Sequence, residues 1–240
     1  MQDTIFALWV YLSTQPLLGL TVTLVAYQIG YGIYLKLDKA PLANPVLIAV
    51  LVLVGILWAT ETPYRTYFEG AQFVHFLLGP ATVALAVPLY GQLARLRRSA
   101  PAILTAILVG SLTATGSAVL IAWALGAGKE TLLSLAPKSV TPPIAMGIAE
   151  GIGGLPSLTA VLVILTGICG AMLATVTLNL LRIKDWSARG LAIGVAAHGI
   201  GTARAMQVSD VAGAFAGVAM GLNGLATAIL LPILIGLLWG

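Results

Sequence analysis

The sequence predicts an all-α integral membrane protein, and three observations lead to that fold class. Of the 240 residues, 59% are hydrophobic and only 8% are charged, whereas a soluble domain carries roughly 25% charged residues. Six stretches without Asp, Glu, Lys or Arg are each long enough for a transmembrane helix of about 20 residues: 4–35, 40–60, 70–94, 99–128, 151–181 and 211–240. These runs are continuous, whereas β-barrel strands alternate in polarity over about 10 residues.

The first charge-free run is longer than one span requires. We therefore expect a short interfacial helix over 5–14, followed by a span near 16–35. The N-terminal residues MQDT lack the basic region of a signal peptide, so a cleaved leader is not expected.

The basic residues fall on alternate loops and therefore predict the orientation. Three clusters hold eight of the twelve: Lys36 and Lys39; Arg95, Arg97 and Arg98; and Arg182, Lys184 and Arg189. The positive-inside rule places these loops in the cytoplasm and both termini outside. The net charge of +4 then reflects topology, and no nucleic-acid partner is expected.

Two apolar pieces, 137–150 and roughly 190–210, are too short and too broken to cross the membrane. They are predicted to be re-entrant, broken-helix segments, because such backbone survives at membrane depth only when it is buried in protein or lines a watery cavity. With about six transmembrane helices, they complete one membrane domain over 1–240, with N-terminal helices in 1–70 and a core in 71–240.

The two broken pieces resemble each other at an offset of 60 residues. Residues 143–150 align without gaps with 203–210, and Gly153 falls on Gly213. The repeat copies lie near 137–181 and 198–239 and would enter from opposite sides. This is an inverted-topology repeat, which in secondary transporters builds a binding site near the bilayer midplane.

The first piece predicts an anion site. Pro142 and Pro143 suit the first turn of a helix that begins near Thr141 and runs to about Ala149. The positive end of that helix, the hydroxyls of Ser139 and Thr141, and the cation of Lys138 would attract a carboxylate. The alternative is a capped surface loop with Lys138 at the headgroup boundary.

The second piece reads HGIGTAR. Gly199 and Gly201 permit close approach of the backbone, Thr202 adds a hydroxyl, and Arg204 could hold a carboxylate in a bidentate pair. The partner of Arg204 would be Glu150, Asp210 or a substrate. The alternative is a structural Arg–acid pair that joins the two repeats.

The remaining polar candidates are grouped by role. Glu150, His198 and Asp210 are candidates for coupling or gating, since each could carry a proton and the acids could bind a cation. A structural hydrogen bond for His198, and helix caps or hydrated loop ends for the acids, are the alternatives. Asn223 is expected to bond across helices or line the site, and His75 has no assigned role.

No enzyme is expected, because no nucleophile–His–acid set, phosphate loop or metal motif stands out. Cys169 is the only cysteine, so a disulfide framework or cysteine-rich metal site is excluded. No cofactor or metal is predicted.

Three segments carry a resemblance to a known family: PKSVTPPIAMGIAEGIGGLPSLTAV, HGIGTARAM and GAFAGVAMGLNGLATAILLP. They strongly resemble the LrgB/CidB family of bacterial membrane proteins, and the layout matches over nearly the whole chain. The resemblance implies a location in the bacterial inner membrane. Bacterial members are named for a holin/antiholin-like role in murein hydrolase export and lysis, with an LrgA/CidA-type partner. A plastid relative exchanges glycolate and glycerate, and bacterial relatives are linked with pyruvate uptake.

The sequence therefore supports a secondary transporter of small carboxylates as the main hypothesis. The alternative is a holin/antiholin-like protein that modulates murein hydrolase export and lysis, and a scaffold for an LrgA-like subunit comes third. A homodimer is expected by analogy with other carriers. The carrier is favoured here because a simple pore does not need two broken segments that enter from opposite sides.

Overall fold

The structure is a computed structural model that describes residues 16–40, 43–73 and 90–239. Within these ranges every regular element is a helix and no strand occurs. The chain forms two compact units, Met1–Ala84 and Leu85–Gly240. The all-α prediction is confirmed.

The first unit contains three described helices: α1 (Pro16–Lys36), α2 (Pro45–Ala59) and α3 (Tyr64–Ala71). α1 coincides with the span predicted near 16–35, while the helix predicted over 5–14 lies outside the described residues. α2 begins at a strong cap, because Asn44 Oδ1 accepts hydrogen bonds from the N–H groups of Val46 at 2.9 Å and Leu47 at 3.2 Å.

The second unit contains seven described helices. They are α4 (Leu93–Arg98), α5 (Ala100–Ala124), α6 (Lys129–Leu135), α7 (Pro142–Ile152), α8 (Pro156–Leu180), α9 (Trp186–Val208) and α10 (Asp210–Trp239).

Four described helices are long and apolar enough to cross a membrane: Leu17–Lys36, Ala100–Ala124, Pro156–Leu180 and Asp210–Leu237. About six spans were expected. The run 40–60 holds α2, whose 15 residues are fewer than the roughly 20 that a span requires. Most of the run 70–94 lies outside the described residues.

The long helices of the second unit define two ends. α5 and α10 run parallel. Arg95, in the short helix α4 just before α5, lies over the Phe215 ring near the start of α10. Ser111 bonds to Thr227 further along both long helices. α8 runs in the opposite direction, because Asn179 near its end bonds to Arg189, and the neighbouring Gly190 packs on Ala212 at the start of α10. We call the end where α5 and α10 begin the basic end, and the end where they finish the opposite end.

α9 is a hairpin of two short helical limbs. Ala197 and His198 have non-helical backbone angles, and Gly201 beyond the bend packs against Ile193 before it. Residues 186–196 run parallel to α10, since Gly190 and Gly194 pack on the carbonyls of Ala212 and Ala216.

Residues 199–208 return antiparallel to α10. Thr202 contacts Met220, and Met206 packs on Gly213. Each limb of about ten residues is about 15 Å long, half the hydrocarbon thickness of a bilayer. The hairpin therefore rises from the basic end and bends halfway along α10.

α6 and α7 form a second hairpin, which rises from the opposite end. Ser134 in α6 accepts a hydrogen bond at its Oγ from the Leu155 N–H at 2.7 Å, and Gly154 packs on its backbone. The end of α6 and the residues that directly follow α7 therefore lie together. α7 runs from Thr141 at its N-cap to Ile152, three residues beyond the predicted end. Burial of either hairpin in a bilayer stays a prediction.

The 60-residue register of the repeat aligns residues in different conformations, and the inverted repeat itself stays a prediction. Gly153 is the left-handed residue that ends α7, whereas Gly213 lies inside α10 against Met206. The returning limbs begin at 142 and 199, and the long helices that follow begin at 156 and 210. The corresponding starts are 57 and 54 residues apart, because the returning limb and the connection that follows it are both shorter in the second piece.

Candidate functional site

The bends of the two hairpins meet at Asn223 near the middle of α10. Asn223 Nδ2 donates to the carbonyl of Ser139 at 3.3 Å and to that of Val195 at 3.2 Å. Asn223 is only 1% exposed. No donor in the described parts of the chain bonds to its Oδ1. We call the contact region of Lys138, Ser139, Val195, His198 and Asn223 the hairpin junction.

Lys138 brings a cation to the hairpin junction. Its Nζ donates to the Ser139 hydroxyl at 3.1 Å, and Ser139 itself is buried. The ammonium also lies within electrostatic range of the His198 ring. A half-buried ammonium with a neighbouring hydroxyl is a suitable contact for a carboxylate.

His198 forms the bend of the α9 hairpin. Its ring nitrogen Nε2 lies 2.8 Å from the carbonyl oxygen of Val163 in α8, and the residue is 1% exposed. Its φ of 38° is uncommon for a residue with a side chain. The hydrogen bond therefore holds a strained bend against α8, and the coupling role of His198 stays a prediction.

The returning limb of α9 adds Thr202, whose hydroxyl donates to the His198 carbonyl at 2.8 Å and is buried. Gly201 lies against Ala197 and Ile193, so its missing side chain permits the tight bend. Gly199 lies beside the sulfur of Met220. These residues shape the junction. The Thr202 hydroxyl already donates its hydrogen to a backbone carbonyl, so it could only accept a hydrogen bond from a ligand.

Other predicted site residues lie away from the junction. Arg204 is six residues beyond His198, about 9 Å along the returning limb. Glu150 is exposed near the C-terminal end of α7, and Asp210 is exposed at the first residue of α10. The pairing of Arg204 with an acid or with a substrate stays a prediction.

The start of α7 also differs from the predicted anion site. Pro142 and Pro143 occupy its first turn and have no N–H to donate. The Ala145 N–H already bonds to the Thr141 carbonyl at 2.9 Å. The helix end therefore offers fewer backbone donors than an ordinary first turn, and attraction of an anion depends more on Lys138 and Ser139.

Two residues without a site role in the sequence analysis have structural roles, Gly167 at the junction and Arg189 at the basic end. A Cβ at Gly167 would lie 2.6 Å from His198 Cε1, so the absence of a side chain leaves room for the ring. Arg189 is buried, donates to Asn179 Oδ1 at 2.9 Å and to the Ile183 carbonyl at 2.8 Å, and lies over Trp186. In the sequence analysis Arg189 served only to predict the orientation in the membrane, because no local sequence pattern indicates that an arginine at a helix start is buried.

Comparisons with known proteins find relatives along nearly the whole chain. The model of the LrgB-like family matches residues 23–237. The uncharacterized protein YwbG of Bacillus subtilis is 37% identical over 219 residues, covering 91% of this chain and 97% of YwbG. The antiholin-like protein LrgB of Bacillus mycoides is 32% identical over 217 residues, covering 90% of this chain and 94% of that protein.

No solved structure matches the chain. The family match spans both units, and the four long apolar helices are those of a multi-pass membrane protein. The chain belongs to the LrgB-like family.

Proposed function

We propose that this protein is an antiholin-like membrane protein of the bacterial inner membrane, which modulates murein hydrolase export and lysis together with an LrgA/CidA-type membrane partner. The observation that carries this proposal is the identity of 32% to proteins named antiholin-like protein LrgB, over 90% of the chain. This likeness supports the antiholin-like function better than it supports a carrier. Neither function includes catalysis.

Expression in a bacterial host that lacks its own LrgA- and LrgB-type proteins tests this proposal. The chain is produced alone and with an LrgA-type partner, and murein hydrolase activity is measured in the culture medium by zymography. We expect the pair to change extracellular activity and the rate of lysis relative to the empty vector. Equal activity and equal lysis in all three cultures would contradict the proposal.

The second candidate function is a secondary carrier of small carboxylates. One specific observation favours it: hairpins that rise from opposite ends meet at a buried polar junction halfway along α10. Such a meeting of broken helices is the usual place of the site in secondary transporters. A pore formed by oligomerisation has no need of it.

In this candidate function the substrate carboxylate binds at Lys138 and the Ser139 hydroxyl, beside the positive end of α7. Thr141, Pro142, Pro143, Gly199, Gly201, Thr202 and Asn223 shape the site. Arg204 would be a second anion contact on the returning limb. His198, Glu150 and Asp210 would couple or gate, and the carrier would work as a homodimer.

Uptake by reconstituted vesicles distinguishes the two candidates. Glycolate, glycerate, lactate and pyruvate are tested separately, each over a range of concentrations. A carrier should saturate, discriminate among the acids and lose uptake in Lys138→Gln. The matched control is Lys129→Gln, which removes a cation at the opposite end, away from the junction. Non-saturable leakage of all solutes, unchanged by Lys138→Gln, would rule out the carrier.

A further inference from the structure

The basic end of the second unit carries a surface patch built from two distant segments. Arg95 Nη2 lies 3.3 Å from Asp185 Oδ2, which brings the loop 181–185 beside α4. Arg97 and Arg98 follow Arg95, and Arg182 and Lys184 precede Asp185. All four are exposed. The two loops that the topology prediction assigned to one side of the membrane therefore lie together.

Positive charge dominates this patch. It contains five basic residues, while the acids at the same end of the described unit are Asp185, which is engaged by Arg95, and Asp210 at the start of α10. Leu180 and Leu181, 82% and 62% exposed, lie directly beside the cations. Cations next to exposed leucines suit an amphipathic ligand that combines a negative group with a hydrocarbon chain.

An apolar crevice leads inward from the patch between α8 and the first limb of α9. It has a volume of about 250 Å³ and is lined by residues that include Gly170, Leu173, Thr177, Leu178, Ala192 and Ala196. Its outer part at Leu178 is four residues from Arg182, and its inner part at Gly170 touches Ala197 in the hairpin bend.

The depth of the crevice approaches that of one leaflet of a bilayer. From Leu178 to Gly170 is eight residues, which corresponds to about 12 Å of helix. The hydrocarbon core of a bilayer is about 30 Å thick. An acyl chain anchored at the patch would therefore extend along the crevice as far as the hairpin bend.

We propose that one anionic phospholipid binds here, with its phosphate headgroup on the basic patch and one acyl chain in the crevice. Arg182, Lys184, Arg97 and Arg98 hold the headgroup, and the small side chains of Ala192 and Ala196 leave room for the chain. The bound chain fills the space between α8 and α9 and steadies the bend that carries His198. This lipid site is independent of the antiholin-like and carrier functions.

Native mass spectrometry of the detergent-purified chain tests the proposal. The protein is titrated with palmitoyl-oleoyl phosphatidylglycerol, and in parallel with the phosphatidylcholine of the same chains. We expect one phosphatidylglycerol per chain, bound about tenfold more tightly than phosphatidylcholine. Arg182→Gln/Lys184→Gln should lower that affinity about tenfold, whereas Lys129→Gln at the opposite end should not.

A second variant tests the crevice. Ala192→Phe fills it from the exposed side of α9 and leaves every cation in place, so it should reduce phosphatidylglycerol binding while circular dichroism shows unchanged helicity. Arg182→Gln/Lys184→Gln changes only exposed residues, so its result tests the proposal even if Ala192→Phe does not fold. Equal binding of the two lipids, or undiminished phosphatidylglycerol binding by Arg182→Gln/Lys184→Gln, would overturn the proposal.

Discussion

Asn223 donates a hydrogen bond from its side-chain amide to the carbonyl of Ser139 at 3.3 Å, across 84 residues of sequence. The same amide group reaches Val195, so one side chain of α10 joins the bends of both hairpins. The junction links both hairpins to α10, and it leads to a first prediction.

Asn223→Leu should destabilise the protein by about 2–4 kcal/mol. The substitution removes two hydrogen bonds and leaves two buried carbonyls without their donor, and each such group costs about 1–3 kcal/mol. Thermal unfolding in detergent, followed by tryptophan fluorescence, measures the change. Gln207→Leu, at an exposed position of the returning limb, is the matched control and should change little. Equal unfolding temperatures for the two variants would refute the role of Asn223.

His198→Ala and His198→Gly should differ in stability. Both lose the 2.8 Å bond to the Val163 carbonyl, but glycine adopts the positive φ of 38° without strain. We therefore expect His198→Gly to be the more stable of the two by about 1 kcal/mol, with both less stable than the native chain. If alanine were the better substitute, the bend would not be strained.

Gly167→Ala should destabilise by about 1–3 kcal/mol, because the added Cβ would meet the His198 ring at 2.6 Å. Gly116→Ala is the control, since a Cβ there meets no atom within 4 Å, and helix propensity should make it neutral or stabilising. In a His198→Ala background the cost of Gly167→Ala should shrink. Full additivity of the two changes would show that they do not touch.

Asp185 should make stability depend on pH. Its carboxylate accepts a hydrogen bond from the Ala188 N–H at 3.0 Å, and this bond, together with the charge of Arg95, lowers the pKa of Asp185 below its usual value. The stabilisation is therefore fully present above the ordinary carboxyl pKa and is lost as the pH falls through the lowered pKa.

Asp185→Ala should cost only about 1 kcal/mol at neutral pH, because Asp185 lies at the surface. The cost should be smaller in acid, where the native carboxylate becomes protonated. Asp185→Asn keeps a capping oxygen and should remove only the pH dependence. Unfolding temperatures measured between neutral pH and pH 3 compare the three proteins. An undiminished difference between the native chain and Asp185→Ala at the lowest pH would contradict this account.

The sequence by itself determined the fold class, several long helices and the positions of the two breaks. These properties are local: continuous apolar runs predict spans, Pro142 and Pro143 predict the start of α7, and the glycines of HGIG indicate close approach of the backbone in the second broken piece. The resemblance to the LrgB/CidB family also came from contiguous motifs, and the family match confirmed it.

Only the tertiary structure decided which polar groups meet. It brings Lys138 and Ser139 to Asn223 and His198, leaves Arg204 about 9 Å along its limb, and uses Arg189 and Gly167 in supporting contacts. The spacing of the corresponding helices also differs from the 60 residues of the gapless alignment. Such an alignment cannot detect a limb and a connection that are shorter in one of the two pieces. Contacts between residues distant in sequence follow from how whole helices lie against each other, and no local pattern of residues encodes that arrangement.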